Sequence, residues 1–250
     1  MAAVYGNKNM LVKLENPTLL GKVIEIISEL VTEVRIKVDP TGMSITAMDP
    51  ANVSMVRFVL PKSSFSRFEA GNDVLGVNLD SLKRILKRCS TGSSLSLEKQ
   101  ENMLNIQIQD KIRRTFNLSL IEVESEEKEI PNLDFSSVVE MSSSDLIDSV
   151  EDCAVVADAC SFIIKDGKFV IEARGLNSAM SEFSGDEAKI SAENCKSMYS
   201  LEYLQKFIKA SKLVDTTVLR FADDHPLKMD VKNDLLELSF LLAPRVETED

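Results

Sequence analysis

The sequence offers few side chains that could begin a catalytic reaction. Its one histidine, His225, stands in the string DDHP directly before Pro226, a context typical of a turn, whereas a serine or cysteine nucleophile needs a base beside it. The patterns G-x-x-x-x-G-K-[ST], G-x-G-x-x-G and H-E-x-x-H do not occur, so phosphate-binding loops and zinc-protease sites lack their usual residues. No two cysteines show C-x-x-C spacing,. We therefore expect no catalytic residues, no cofactor, no metal and no enzymatic activity.

Two groups of acidic residues keep one catalytic alternative open. Asp223 and Asp224 are adjacent, and Asp148, Glu151 and Asp152 share a predicted helix. Carboxylates of this kind can bind a divalent cation, although a polar turn and a solvated helix face are the simpler interpretations. The alternative of a different class is therefore a metal-dependent nucleic-acid enzyme.

Positive charge is concentrated on two predicted helices of an acidic chain. With 29 basic and 40 acidic residues the formal net charge is -11, which opposes indiscriminate coating of nucleic acid. Two helices nevertheless place bases opposite an apolar stripe: Lys83, Arg84, Lys87 and Arg88 in the first, and Lys206, Lys209 and Lys212 in the second. Because Phe207, which stands between Lys206 and Lys209, belongs to the opposite apolar stripe, sequence-independent contact with a duplex backbone fits better than stacking on single strands,. Ordinary solvated helix faces are the other interpretation.

The elements that carry these helices occur twice along the chain. Apolar periodicity predicts helices over 16–31, 78–89, 142–157 and 200–213, with alternating strands and turns between them,. Asn16 and Ser142 are 126 residues apart, and Gly42 and Gly167 are 125 apart. This near-constant offset indicates a tandem duplication. We predict an α+β protein of two similar domains, 1–120 and 135–250, each with two helices packed on a mostly antiparallel sheet.

Between the two predicted domains, residues 121–134 form an acidic stretch that contains Pro131. This composition is typical of an exposed, extended connector. A solvated linker with no further role is the alternative.

Hydrophobic residues make up 44% of the chain and charged residues 28%, which indicates a folded protein. We expect an intracellular protein without a membrane span, because no uncharged run approaches the roughly 18 residues that a bilayer requires.

Strings along nearly the whole chain resemble the DNA sliding clamps of the proliferating cell nuclear antigen (PCNA) family, archaeal type. They are AMDPANVSMV (47–56), GVNLDSLKRILKR (76–88), RTFNLSLIEVE (114–124), EIPNLDF (129–135), YSLEYLQKF (199–207) and LLAPRVE (241–247). The resemblance implies a subunit that joins two further copies head to tail in a ring, with sheets outside and helices lining the hole. It also implies a polymerase processivity factor that encircles duplex DNA, inside the cell at replicating DNA and in an archaeal cytoplasm rather than a eukaryotic nucleus.

The resemblance also assigns partners and residues. The expected partners are double-stranded DNA without sequence preference, a clamp loader, a DNA polymerase, a flap nuclease and a DNA ligase. The DNA-facing residues would be Lys22, Lys83, Arg84, Lys87, Arg88, Lys206, Lys209 and Lys212. A pocket for a partner motif of a glutamine, an aliphatic residue and two aromatics would be formed by Met48, Ile130, Pro226, Leu241, Ala243 and Pro244. At the subunit interface, Asp148 and Asp152 would lie opposite Arg88 and Arg114 of the adjoining copy.

One helix departs from the family pattern. The helix predicted over 142–157 has four acidic residues, Asp145, Asp148, Glu151 and Asp152, and no base, so a contact with DNA and a role in assembly are both open for it. Within the same fold, the alternative is a specialised or checkpoint clamp that forms one subunit of a heterotrimer.

Overall fold

The computed structural model describes residues 10–124 and 128–246. The chain divides into two compact units, of which the first comprises residues 1–47 and 58–127 and the second residues 48–57 and 128–250. The segment 48–57 thus belongs by its contacts to the second unit. The domain bounds 1–120 and 135–250 stay a prediction.

The first unit is built from strands and two helices. Its helices are α1 (Thr18–Ser28) and α2 (Leu79–Leu86). Its strands are β1 (Leu11–Leu14), β2 (Glu33–Asp39), β3 (Gly42–Met48, assigned to this unit up to Ala47), β4 (Ser54–Pro61, assigned to this unit from Phe58 on), β5 (Arg67–Glu69), β6 (Asp73–Asn78), β7 (Ser94–Gln100), β8 (Met103–Gln109) and β9 (Arg113–Ser119). One antiparallel sheet has the order β5-β1-β7-β8-β9, and a second sheet contains the consecutive strands β3-β2-β6.

The second unit repeats this plan. Its helices are α3 (Ser143–Val156) and α4 (Leu201–Ser211). Its strands are β10 (Ser137–Ser142), β11 (Ala159–Lys165), β12 (Lys168–Arg174), β13 (Ser178–Phe183), β14 (Ala188–Ala192), β15 (Cys195–Ser200), β16 (Thr216–Phe221), β17 (Leu227–Lys232) and β18 (Glu237–Leu242). They form the antiparallel orders β13-β12-β11-β15 and β14-β10-β16-β17-β18. The predicted α+β fold with antiparallel sheets is confirmed.

Local sequence explains where these elements begin and turn. The side chain of Asn78 caps α2 by accepting a hydrogen bond of 3.0 Å from the backbone N–H of Ser81, which satisfies a donor that the first helical turn leaves free. The hairpin between β11 and β12 turns at Asp166 and Gly167, both with positive φ, 51° and 76°. This is the geometry of the two-residue turns that suit the twist of a hairpin.

The helices bury apolar stripes against the sheets in both units. In α2, Leu79, Leu82 and Leu86 are buried, whereas the bases predicted to lie opposite them are exposed or half-buried. The core of the second unit is richer in aromatic rings: Phe162 makes edge contacts with Phe169, Tyr199 and Phe221 at centroid distances of 5.5, 5.3 and 5.9 Å. Such pairs contribute about 0.5–1.5 kcal/mol beyond the area that they bury.

Residues 121–124 and 128–134 of the predicted connector have no helix or strand, and residues 125–127 lie outside the described part. The first residues of the connector run along β6, where the backbone N–H of Ile121 donates to the carbonyl of Gly76 at 2.9 Å. A Cβ atom at position 76 would lie 1.9 Å from the carbonyl oxygen of Ile121, so only glycine allows this approach. The guanidinium of Arg35 also donates to the carbonyl of Val123. Within residues 10–124 and 128–246, no helix is long and apolar enough to cross a membrane.

Candidate functional site

The first basic face consists of Lys22 on α1 and Lys83, Arg84, Lys87 and Arg88 on or just after α2. The two helices pack against each other, so these side chains share one surface of the first unit. All are exposed except Lys83, which is half-buried. Lys83 Nζ donates to Asp80 Oδ1 at 2.9 Å and to Ser28 Oγ at 3.2 Å.

Neighbouring acids partly neutralise the first basic face. The hydrogen bond from Lys83, with its charge, lowers the pKa of Asp80, and Lys87 Nζ lies 2.7 Å from Glu25 Oε1. For Lys22, Arg84 and Arg88, the described part of the chain provides no carboxylate within ion-pair distance. These three side chains therefore present the most available positive charge of the face.

The second basic face consists of Lys206, Lys209 and Lys212 on α4 and just after it. Lys209 and Lys212 are exposed. Lys206 is half-buried, with its Nζ 3.2 Å from Glu202 Oε1 and 5.3 Å from the ring centroid of Tyr203. Each unit therefore carries bases on the second of its two helices, and in the first unit Lys22 on α1 adds to them.

A groove of about 370 Å³ runs beside the second basic face. Its lining includes Glu151 of α3 together with Glu202, Gln205, Lys206, Ile208, Lys209 and Lys212. Helix α3 therefore brings a carboxylate rather than a base to this surface. Among the described residues, no group of three His, Cys, Asp or Glu side chains is arranged to hold a metal ion.

The predicted partner-motif pocket falls entirely within the second unit. Leu241 on β18 is 8% exposed, and the other five residues, Met48, Ile130, Pro226, Ala243 and Pro244, are half-buried. The segments that carry them are neighbours: Ala243 N–H donates to Val53 O at 2.9 Å, and Lys128 Nζ lies 3.4 Å from Met48 Sδ. Pro226 directly precedes Leu227, which pairs with Leu242.

The predicted interface residues divide between the units. Arg114 on β9 forms an ion pair with Asp110 and donates to the carbonyl of Arg88 at 3.1 Å, so the two arginines are brought together at the end of α2. The hydrogen bond from Ser93 lowers the pKa of Asp110 more than burial raises it, and the hydrogen bond and charge of Arg114 lower it further. On α3, Asp148 and Asp152 are exposed and lie one turn apart.

Two open edge strands were not predicted from the sequence. Within the described residues β9 pairs only with β8, and β13 only with β12, so each has a row of unpaired backbone groups. Large apolar side chains are exposed on or near these edges: Ile112 at 65%, Met180 at 63%, Val155 at 84% and Leu176 completely. Open edges with apolar residues are typical of surfaces that pair with another chain. The available signal was the apolar character of Leu176 and Met180 in an otherwise polar stretch.

Comparison with known proteins decides the family. Residues 10–128 match the N-terminal domain of proliferating cell nuclear antigen, and residues 129–245 match its C-terminal domain. The chain belongs to the PCNA family. The resemblance found in the sequence strings is thereby confirmed.

Curated relatives and a solved structure agree with this assignment. The "DNA polymerase sliding clamp" of Pyrococcus horikoshii is 36% identical over 241 residues, covering 91% of this chain and 94% of that protein. "DNA polymerase sliding clamp 1" of Thermococcus kodakarensis is 36% identical over 228 residues, covering 88% and 92%. The crystal structure of proliferating cellular nuclear antigen from Entamoeba histolytica has a TM-score of 0.88 at 22% identity and covers 95% of this chain and 99% of that one. This structure shows that the PCNA fold is shared.

Proposed function

We propose that this member of the PCNA family is a DNA sliding clamp, a non-catalytic ring of three copies that encircles duplex DNA and holds a polymerase on its template. The observation that carries the proposal is the repeated basic face. In a chain of net charge -11, exposed bases recur on the second helix of each unit, where they can face phosphates.

The partial neutralisation of the first basic face suits sliding rather than tight binding. Because Lys83 and Lys87 already have carboxylate neighbours, each gains less from a phosphate than an unpaired base would. Contacts of this kind are sequence-blind and release counterions, so they weaken as salt rises. A closed ring keeps its DNA by topology, which allows the individual contacts to stay weak.

Assembly is supported by the open edges of β9 and β13 and by charges of opposite sign near them. Arg88 and Arg114 belong to the first unit, and Asp148 and Asp152 to the second, so a head-to-tail arrangement would bring one set against the other. Such heterologous contacts close into a ring when the rotation between copies permits. The other proposed partners, clamp loader, polymerase, flap nuclease and ligase, would use the apolar pocket around Leu241, at DNA inside the cell.

Reversing Lys22 and Arg84, two of the three most available bases, tests the DNA-contact role. Lys22→Glu with Arg84→Glu should shorten the products of primer extension by a replicative polymerase on a circular template, because two attractions to phosphate per copy become repulsions. The logarithm of DNA affinity should also depend less steeply on salt, by roughly 0.9 for each phosphate that the clamp no longer neutralises. Lys83 is unsuitable for reversal, because a glutamate there would face Asp80.

The matched control is Arg57→Glu with Lys165→Glu, which makes the same change in net charge at exposed positions on strands. Product length should be unchanged in this control. Equal losses in both variants would assign the effect to net charge, and no loss in the Lys22 and Arg84 variant would remove these residues from the DNA path.

A further inference from the structure

Asp49 is the only charged side chain that is buried among the described residues, with 5% exposure. Its carboxylate accepts three backbone hydrogen bonds: from Val53 at 2.8 Å and Ser54 at 2.7 Å on Oδ1, and from Ala51 at 3.2 Å on Oδ2. A buried charge is tolerated when hydrogen bonds compensate it. The carboxylate therefore fixes the turn 49–54, whose residue Asn52 has a positive φ of 57°.

A fourth hydrogen bond reaches Asp49 from a distant part of the chain. The hydroxyl of Tyr203 on α4 donates to Asp49 Oδ2 at 2.6 Å. Burial raises the pKa of Asp49, but the hydrogen bonds from Tyr203 and the three amides together outweigh it and lower the pKa below its usual value. Burial, with the nearby carboxylate of Asp49, raises the pKa of Tyr203 to about 12. At neutral pH the bond thus joins a neutral donor to a charged acceptor, a combination stronger than a neutral pair.

The turn fixed by Asp49 borders the partner-motif pocket. Met48, a predicted pocket residue, directly precedes Asp49. At the other end of the turn, Val53 O accepts the hydrogen bond from Ala243, a second pocket residue. A displacement of the turn would therefore move both Met48 and the chain at Ala243 and Pro244.

We propose that Tyr203 is a positioning residue of the partner-motif pocket, which acts by holding Asp49 and, through it, the turn 49–54. The inference rests on the proposed partner-binding function. Tyr203 lies between this turn and the second basic face, since its ring is the one that Lys206 covers. Its hydroxyl organises the pocket without touching the bound motif.

The substitution Tyr203→Phe tests the proposal, because it removes the hydroxyl and keeps the ring. The probe is a synthetic peptide that carries a glutamine, an aliphatic residue and two adjacent phenylalanines. Its affinity, measured by calorimetry, should fall about three- to tenfold, since the peptide would then have to order the turn itself, a cost of the size found for immobilising interface groups. Amide hydrogen exchange at Val53 and Ser54 should become faster in the free protein.

Ser143→Ala is the matched control for stability. The hydroxyl of Ser143 is buried in the same unit and bonds to Thr217 Oγ1 at 2.9 Å, on elements that do not carry the pocket residues. Its removal should lower the melting temperature while peptide affinity and exchange at Val53 stay as in the wild type. An equal loss of affinity in Ser143→Ala would show that general destabilisation suffices and would overturn the positioning role.

A double-mutant cycle with Asp49→Asn tests whether Tyr203 acts through Asp49. If it does, Tyr203→Phe should cost less affinity in the Asp49→Asn background than in the wild type. Strict additivity would contradict the proposal. If the wild type binds the peptide and Tyr203→Phe binds it equally well, the positioning role of Tyr203 is wrong and the proposed pocket is unaffected. If the wild type does not bind the peptide at all, both the proposed pocket and the positioning role are wrong.

Discussion

Asp148→Lys with Asp152→Lys should leave the protein monomeric at micromolar concentration, where the wild type should sediment as a trimer. Both aspartates are exposed and lie one turn apart on α3. An exposed ion pair contributes only about 0–1 kcal/mol, but reversal turns attraction into repulsion of similar size. Two such pairs at an interface would then shift its association free energy by up to about 4 kcal/mol, roughly a thousandfold in the association constant.

Analytical ultracentrifugation at several salt concentrations would measure the change. The wild-type ring should loosen as salt rises, because exposed charges are screened. Arg88→Glu added to the double-lysine chain should restore part of the assembly. Arg88 suits this purpose better than Arg114, whose guanidinium already pairs with Asp110 and holds the carbonyl of Arg88.

Glu193→Lys with Asp234→Lys provides the control for net charge. Both side chains are exposed in the second unit, away from α3 in sequence, and this variant should sediment as the wild type does. A double-lysine variant at 148 and 152 that stays trimeric at every salt concentration would show that the two aspartates serve something other than assembly.

Periodicity and turn chemistry predicted much of the fold because they are local properties. The apolar spacing of Leu79, Leu82 and Leu86 located α2, and the pair Asp166 and Gly167 located a hairpin. Helix ends were less well placed: the stripe over 16–31 continued to Val31, but α1 ends at Ser28. Leu30 and Val31 are buried without being helical, so burial alone extended the predicted helix.

The contacts that organise the partner-motif pocket and the first basic face join residues far apart in the sequence, and no local sequence pattern predicts them. Asp49 and Tyr203 are separated by 154 positions, and each stands in an unremarkable local context. Likewise, the basic character of α2 was readable, but the pairing of Lys87 with Glu25 on α1 depends on how the two helices pack. The sequence therefore predicted which surfaces carry basic residues. Which of those bases are neutralised by a neighbouring carboxylate could be seen only in the three-dimensional structure.

The pocket should lose its peptide when its apolar anchors become polar. In Ile130→Ser with Leu241→Ser, affinity for the glutamine and double-phenylalanine peptide should fall by roughly a thousandfold, because central apolar contacts at such interfaces are worth about 2 kcal/mol or more each. Calorimetry measures the affinity, and sedimentation should show the wild-type assembly, since neither residue lies on the open edges of β9 and β13.

Substitution at Leu241 should destabilise the fold more than substitution at Ile130, so the single variant Ile130→Ser serves as a control for the double variant. Leu241 on β18 is 8% exposed and pairs with Lys228 of β17, so serine there also costs stability. Ile130 is half-buried on the connector, so Ile130→Ser alone should keep the wild-type melting temperature and still weaken peptide binding roughly thirtyfold. Val74→Ser, at a 45% exposed side chain of the first unit, should leave the affinity unchanged. Wild-type affinity in the double variant would exclude Ile130 and Leu241 from the pocket, because neither anchor could then contact the peptide.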